Sequence, residues 1–274
     1  MPESLPFLVL LAASLVVIGA ISGVIAGFLG VGGGIVIVPF LYFLFAAIGI
    51  DDQVRMHMAV GTSLATFLPT ASVSALAHNR RGSVDVGLLK RWGISIFLGV
   101  VIGASIGSFV EGAILTAAFA TLAILIATHF LFGREDFRLS NRLPSGIGLQ
   151  SAGAIIGGIS AMIGIGGGTM SVPYLAAFGY PIARAVGTAA AIGLIIGVPG
   201  AIVFAIAGFG MPLRPAYSLG YVSLTAFALI SLGTIFAAPV GVRLAHHVGA
   251  HILRRAFAVF LVATSVHMYW GLFG

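Results

Sequence analysis

Two glycine runs, Gly30-Val31-Gly32-Gly33-Gly34 and Gly164-Ile165-Gly166-Gly167-Gly168, carry the chemistry legible in this chain. Each lies in a strongly apolar stretch, and each is followed five residues on by a proline, Pro39 and Pro173. A glycine costs a helix about 1 kcal/mol relative to alanine, so three or four within five residues should break it. A new helix is expected near Gly34 and near Gly168, with its first amides unpaired. Those amides, at the positive end of a helix dipole, suit an anion. Pro39 and Pro173 cannot donate to the carbonyls of Ile35 and Thr169, which loosens the same turns. A second block, Ala59-Val60-Gly61-Thr62, matches Ala185-Val186-Gly187-Thr188. Thr62, Ser63 and Thr188 are read as lying at the start of later helices behind Gly61 and Gly187, where their hydroxyls would add donors. The competing reading gives the glycines to helix packing. Duplication together with paired prolines favours a substrate role.

Charged candidates are few. Arg55 and Arg184 precede the second block in each half, and each could draw an anion toward one mouth of a pathway. His78, beside Arg80 and Arg81, is read either as a proton site or as an interfacial residue. Glu111 fits a solvated turn, because a carboxylate inside lipid is costly. His129 and His267 fall near the ends of long apolar segments. His246, His247 and His251 have a spacing that could hold a metal, but no carboxylate or thiol supports one, so no metal site is assigned. There is no cysteine, hence no disulfide or thiolate nucleophile. No nucleophile–His–acid set appears within the segments, which argues against an enzyme. No cofactor is called for.

The elements that must position these residues are membrane segments. Hydrophobic residues make up 59% of the 274 and charged ones 7%, against roughly 25% charged in soluble domains. Ten apolar segments are expected, at about 5–29, 31–50, 57–77, 92–110, 112–132, 146–163, 166–180, 185–209, 216–242 and 252–273. The start, Met-Pro-Glu-Ser, has no basic region, so the first segment reads as retained. If all ten cross, eleven basic residues fall on one side: Arg80, Arg81, Lys90, Arg91, Arg134, Arg138, Arg142, Arg184, Arg243, Arg254 and Arg255. Only Arg55 and Arg214 fall on the other. If segments two and seven dip in and return, the split falls to eight against five. The positive-inside rule favours ten crossings, a cytoplasmic basic side and both termini outside. It also reads the net charge of +6 as a sign of orientation, with no nucleic-acid partner implied.

Gly30–Leu41 aligns with Gly164–Leu175 without gaps, with seven of twelve positions identical. Five segments per half is odd, so the second half, 137–274, would enter from the opposite face to the first, 1–136. The expected fold is therefore an all-α polytopic membrane protein of two inverted repeats with Gly/Pro-interrupted helices, a plan shared by many secondary transporters. Their site lies near the midplane. To reach it, the glycine junctions must fold inward on shorter or tilted helices.

The segments "GFLGVGGGIVIVPFL" at 27–41, "AVGTS" at 59–63, "HNRRGSVD" at 78–85, "GIGGGTMSVPYL" at 164–175 and "AVGTA" at 185–189 resemble the TauE/SafE family of membrane permeases, the sulfite exporter family. The resemblance spans essentially the whole chain. One departure is that the second half has Ala-Gly-Phe-Gly at 207–210 where the first has its basic loop. The resemblance implies export of sulfite, sulfoacetate or a related sulfur-containing anion across a prokaryotic inner membrane. It leaves homo-oligomerisation open. An anion channel or an importer of another small anion is the alternative.

Overall fold

The computed structural model describes residues 5–30, 32–132, 138–244 and 250–273. Arg134, His246 and His247 lie outside them, as do the side chains of His251 and Arg254. The described residues form ten α-helices and one short hairpin. The helices are α1 (Leu5–Leu29), α2 (Gly34–Ala47), α3 (Asp52–Asn79), α4 (Val86–Phe109), α5 (Gly112–Phe132), α6 (Ile147–Met162), α7 (Gly168–Ala177), α8 (Ile182–Ala207), α9 (Leu224–Leu244) and α10 (Ala250–Phe273). The hairpin pairs β1 (Ser218–Leu219) with β2 (Val222–Ser223).

Most helix boundaries follow the apolar runs. The exceptions have local causes. Asp51 caps α3 by accepting from the Gln53 amide at 2.9 Å, so α3 starts before its apolar stretch and includes Arg55. Asp85 caps α4 through the Leu88 amide at 2.9 Å, which takes Lys90 and Arg91 into the helix. Segment nine begins late, because residues 218–223 form the hairpin instead. Among the described residues, six helices are long and apolar enough to cross a bilayer: α1, α3, α4, α5, α8 and α9. α2 has 14 residues and α7 has 10. At 1.5 Å per residue they reach about 21 and 15 Å, short of a hydrocarbon core of about 30 Å.

The two halves pack by exchange. α1 lies along α9, and α4 lies along α6, so the first helix of each half packs on the fourth of the other. α3 packs on α8 and α5 on α10, while α2 and α7 lean on the helices that follow them. Glycine sets the closeness of these pairs. A Cβ on Gly19, Gly23 or Gly27 would lie 2.3, 2.9 or 2.2 Å from Ile230, Thr234 or Ala238. On α4, a Cβ on Gly99 or Gly103 would come within 2.0 Å of the Ala154 or Gly158 carbonyl. Backbones that touch like this gain dispersion along their length, which is how helices associate where lipid is as apolar as they are.

The same contacts give the directions. α1 and α9 run parallel, as do α4 and α6, whereas α3 and α8 run antiparallel, with Gly193 at Ala71, Gly197 at Phe67 and Gly200 at Leu64. α7 returns the chain to the end at which α6 begins, since the Leu139 amide, just before α6, bonds the Ala177 carbonyl at the end of α7 at 2.7 Å. The loops consequently sort into two ends. Tyr180 bonds Asp85, Gln150 bonds the Arg91 carbonyl, and Leu139 bonds the Ala177 carbonyl. These contacts gather Arg80, Arg81, Lys90, Arg91, Arg138, Arg142 and Arg184 at one end. His57 bonds the Val110 carbonyl at 2.8 Å and stacks on Tyr221 at 4.9 Å, which gathers Arg55, Glu111 and the hairpin at the other.

Gly103→Ala would press a methyl into the Gly158 backbone, an overpacking that costs about 1–3 kcal/mol. Its melting temperature in detergent should fall by several degrees. Gly271→Ala, with nothing within 4 Å, should leave it unchanged or raise it.

Candidate functional site

The glycine junctions connect α1 to α2 and α6 to α7. Gly30, Gly32 and Gly33 have φ of +67, +79 and +73°, and Gly164 has +73°. In this left-handed region a side chain is strained, so glycine is required for the reversals. The first junction turns the chain back alongside α1: Ser22 Oγ donates to the Gly33 carbonyl at 3.0 Å. α2 then runs antiparallel to α1, with Phe40 and Leu44 beside Ile18. The second junction turns similarly, and the Ile165 amide bonds the Ser160 carbonyl at 2.9 Å.

The two junctions, 134 residues apart, touch. A Cβ on Gly32 would lie 2.9 Å from the Gly166 Cα, and one on Gly34 would lie 2.3 Å from the Gly164 carbonyl oxygen. Ser63 Oγ donates to that same oxygen at 2.9 Å. Two helix N-termini therefore start from one buried place. Their first turns bond to the carbonyls of Gly33, Gly166 and Gly167, and neither N-cap, Gly33 or Gly167, has a side chain to cap with. The amides of Gly34 and Ile35, and of Gly167 and Gly168, precede those first bonds and lack a helical acceptor. Apolar side chains pack against both junctions. Phe67 is wedged between Gly34 and Gly197, and Ile192 and Ile196 press on Gly167.

The second block does something else. Thr62 and Thr188 do not lie at helix starts: they sit inside α3 and α8, as does Ser63. Helix-initiating residues upstream, Asp51 and Pro181, place them there. Thr62 Oγ1 accepts from the Ser223 amide and Thr188 Oγ1 from the Asp85 amide, both at 2.9 Å. Gly61 and Gly187 make room, since a Cβ on either would lie 2.7 or 2.6 Å from the Tyr221 or Ser83 carbonyl oxygen. The block is thus a clamp. Each half uses it to hold the segment entering the other half's fourth helix. Gly30 reaches the same neighbourhood, with its Cβ position 2.8 Å from Val186.

The charged candidates are not at the junctions. Arg55 bonds the Ile50 carbonyl at 3.1 Å, pairs with Asp52 and stacks over Tyr42 at 5.6 Å, bracing the α2–α3 turn. Arg184 is half-exposed at the basic end and meets Asp85 at 3.1 Å. His78 is buried, with Nε2 3.3 Å from the Gly27 carbonyl. Two residues at the basic end were not singled out from the sequence, Asp85 and Tyr180. Asp85 accepts from the Tyr180 hydroxyl, the Arg184 guanidinium and the Leu88 amide. Its pKa is held below the usual carboxylate value, chiefly by the Tyr180 bond and then the Leu88 amide, while burial and Asp85 push the Tyr180 phenol up to about 12. An aspartate in a basic loop four residues after Arg81 was the available signal, but its partners are some 95 residues away. Among the described residues, no group of three His, Cys, Asp or Glu could hold a metal ion.

Asp85→Asn should destabilise the protein by about 1–3 kcal/mol near neutral pH, through loss of the charge-assisted bonds. Because the folded pKa is lowered, ionised Asp85 stabilises above the unfolded carboxylate value of 3.8. That contribution is lost as pH falls through the lower folded value. Thermal melts of the two proteins should differ at pH 7 and converge below pH 3.8.

The family model for the sulfite exporter TauE/SafE matches residues 15–268. A probable membrane transporter protein of Haemophilus influenzae is 33% identical over 253 residues, covering 92% of this chain and 96% of the relative. One of Methanocaldococcus jannaschii is 28% identical over 251 residues, covering 89% and 90%. A shorter match, to a probable membrane transporter protein of Bacillus subtilis, is 28% identical over 218 residues, covering 71% and 78%. No solved structure matches. A protein whose described residues form ten helices and two facing glycine junctions, and whose family match runs over nearly its whole length, is a membrane transporter, and the chain belongs to the TauE/SafE sulfite exporter family.

Proposed function

We propose that this protein is a secondary transporter that exports sulfite or a related sulfur-containing anion, such as a sulfonate, across the cytoplasmic membrane. The observation that carries this reading is the meeting of the two junctions, Gly32 against Gly166, at the start of two uncapped helices. The transported anion is held there by backbone amides, and alternating access proceeds around it. Residues 1–136 and 137–274 are two inverted repeats. The exchange of first and fourth helices and the antiparallel α3/α8 pair support that relation. All ten segments carry the chain from face to face, with α2 and α7 making up the distance from the inward-folded junctions. The basic end faces the cytoplasm and both termini face outward.

A site of neutral donors suits an anion that must both bind and leave. It also needs no co-ion for export, since an interior-negative potential favours anion exit by roughly 2.3 kcal/mol per charge per 100 mV. Half-exposed Arg184 draws anions to the inner mouth. Arg55 serves the outer mouth, where its carbonyl and carboxylate partners hold its guanidinium in place.

The test is radiolabelled sulfite flux in proteoliposomes at a set membrane potential, with and without a pH gradient, against sulfate and sulfoacetate. Saturable sulfite flux that follows voltage is expected. Gly167→Ala is the informative variant, because side-chain atoms of Ile192 and Ile196, and no backbone, oppose its methyl. The added methyl leaves every amide donor in place but crowds the junction, and it should lower flux by about tenfold, equivalent to about 1.4 kcal/mol, while the protein stays folded. Unchanged flux in that variant would remove the glycine site. Unsaturable flux would make the protein a channel.

A further inference from the structure

α3 carries a buried polar seam that α8 lacks. Ser63, Thr66, Thr70, Ser74 and His78 recur every three or four residues and so share one face of the helix. All five are essentially inaccessible, at 0 to 2% exposure. The seam starts at the glycine junction, where Ser63 bonds the Gly164 carbonyl, and ends at His78 beside the Gly27 carbonyl. That is fifteen residues, or about 22 Å of helix, from the candidate site to the basic end. Thr66 and Thr70 donate back to carbonyls of their own helix, at 2.6 and 2.7 Å. Ser74 Oγ is buried with no hydrogen-bond partner. Among the described residues, the Thr66, Thr70 and Ser74 hydroxyls make no bond outside α3. Burying one unpaired is costly, and two back-bonded threonines weaken rather than build a helix. Pro69, inside the seam, removes the bond to the Ala65 carbonyl and lets α3 bend there.

The second half supplies the contrast. The block that aligns Gly61-Thr62 with Gly187-Thr188 continues down both helices. Opposite Ser63, Thr66, Thr70, Ser74 and His78 stand Ala189, Ile192, Ile196, Gly200 and Phe204. All are buried and none is polar. Ile192 and Ile196 lie directly on Gly167.

We infer that the α3 seam is the hydrophilic wall along which a small polar anion passes between the glycine junction and the basic end, and that the matching face of α8 is a dry seal over the other half-path. This deepens the transport reading and rests on it for the identity of what passes. The back-bonded hydroxyls turn outward when the seam hydrates, so the wall can close without leaving carbonyls stranded.

The cysteine-free chain allows a direct test. Thr66→Cys, Thr70→Cys and Ser74→Cys each introduce a single thiol of nearly unchanged size, and Ile192→Cys, Ile196→Cys and Gly200→Cys mark the matching positions. Purified protein in proteoliposomes is treated with a small water-soluble methanethiosulfonate and read by intact mass. Seam thiols should react about tenfold faster than their α8 partners, since only wetted thiols ionise and react. Ser63→Cys with Ala189→Cys gives a further pair should an isoleucine variant fail to give a single gel-filtration peak. Equal rates, or protection of both sets, would overturn the inference even if sulfite flux is normal. A clear rate contrast without any sulfite flux would leave the seam standing as an aqueous path and remove the proposed substrate.

Discussion

Everything in this fold depends on backbone touching backbone at positions with no side chain. α1 against α9, α4 against α6, and the two glycine junctions against each other all approach to distances at which a Cβ would collide with a carbonyl or an α-carbon. In a bilayer no hydrophobic force drives helices together, so this proximity is the main source of cohesion. It also makes the centre possible. Polar main-chain groups that are costly in lipid can be left without helical partners only where another part of the protein shields them. Here each junction lies against the other, with Phe67, Ile192 and Ile196 packed on the glycines.

The halves are also tied at the two ends by a repeated device. A threonine within α3 or α8 accepts an amide from the segment that begins the other half's fourth helix. At the basic end the tie is reinforced by Asp85, which joins Tyr180 and Arg184 to the same segment. At the other end the hairpin does this work through Tyr221, stacked on His57 and lying against Phe204. The two ends therefore differ in chemistry: one is held by charge, the other by aromatic packing.

Much of this was legible in the residues. Ten apolar segments foretold ten helices, and the glycine runs placed the starts of α2 and α7 at Gly34 and Gly168. The role of Thr62 and Thr188 was not legible, because a hydroxyl reads the same whether it waits for a ligand or accepts an amide 161 or 103 residues away. Arg55 looked unattached from sequence because its partners, the Ile50 carbonyl and the Tyr42 ring, appear only once the α2–α3 turn closes. The hairpin at 218–223 was hidden by apolar residues continuous with segment nine. Periodicity cannot separate a short strand pair from the first turn of a helix.

The exchanged packing also has a meaning in time. The glycine face of α1 is complemented by α9, and Gly23 waits for Thr234, which is made 211 residues later. At synthesis rates of 5–20 residues per second that interval is roughly 10–40 s. Throughout it, α1 sits in the membrane with its backbone groove filled only by lipid. Commitment to the native arrangement comes late in biogenesis, when the ninth helix arrives and displaces that lipid. A ribosome that stalls before then leaves α1 without the helix that covers its glycine face.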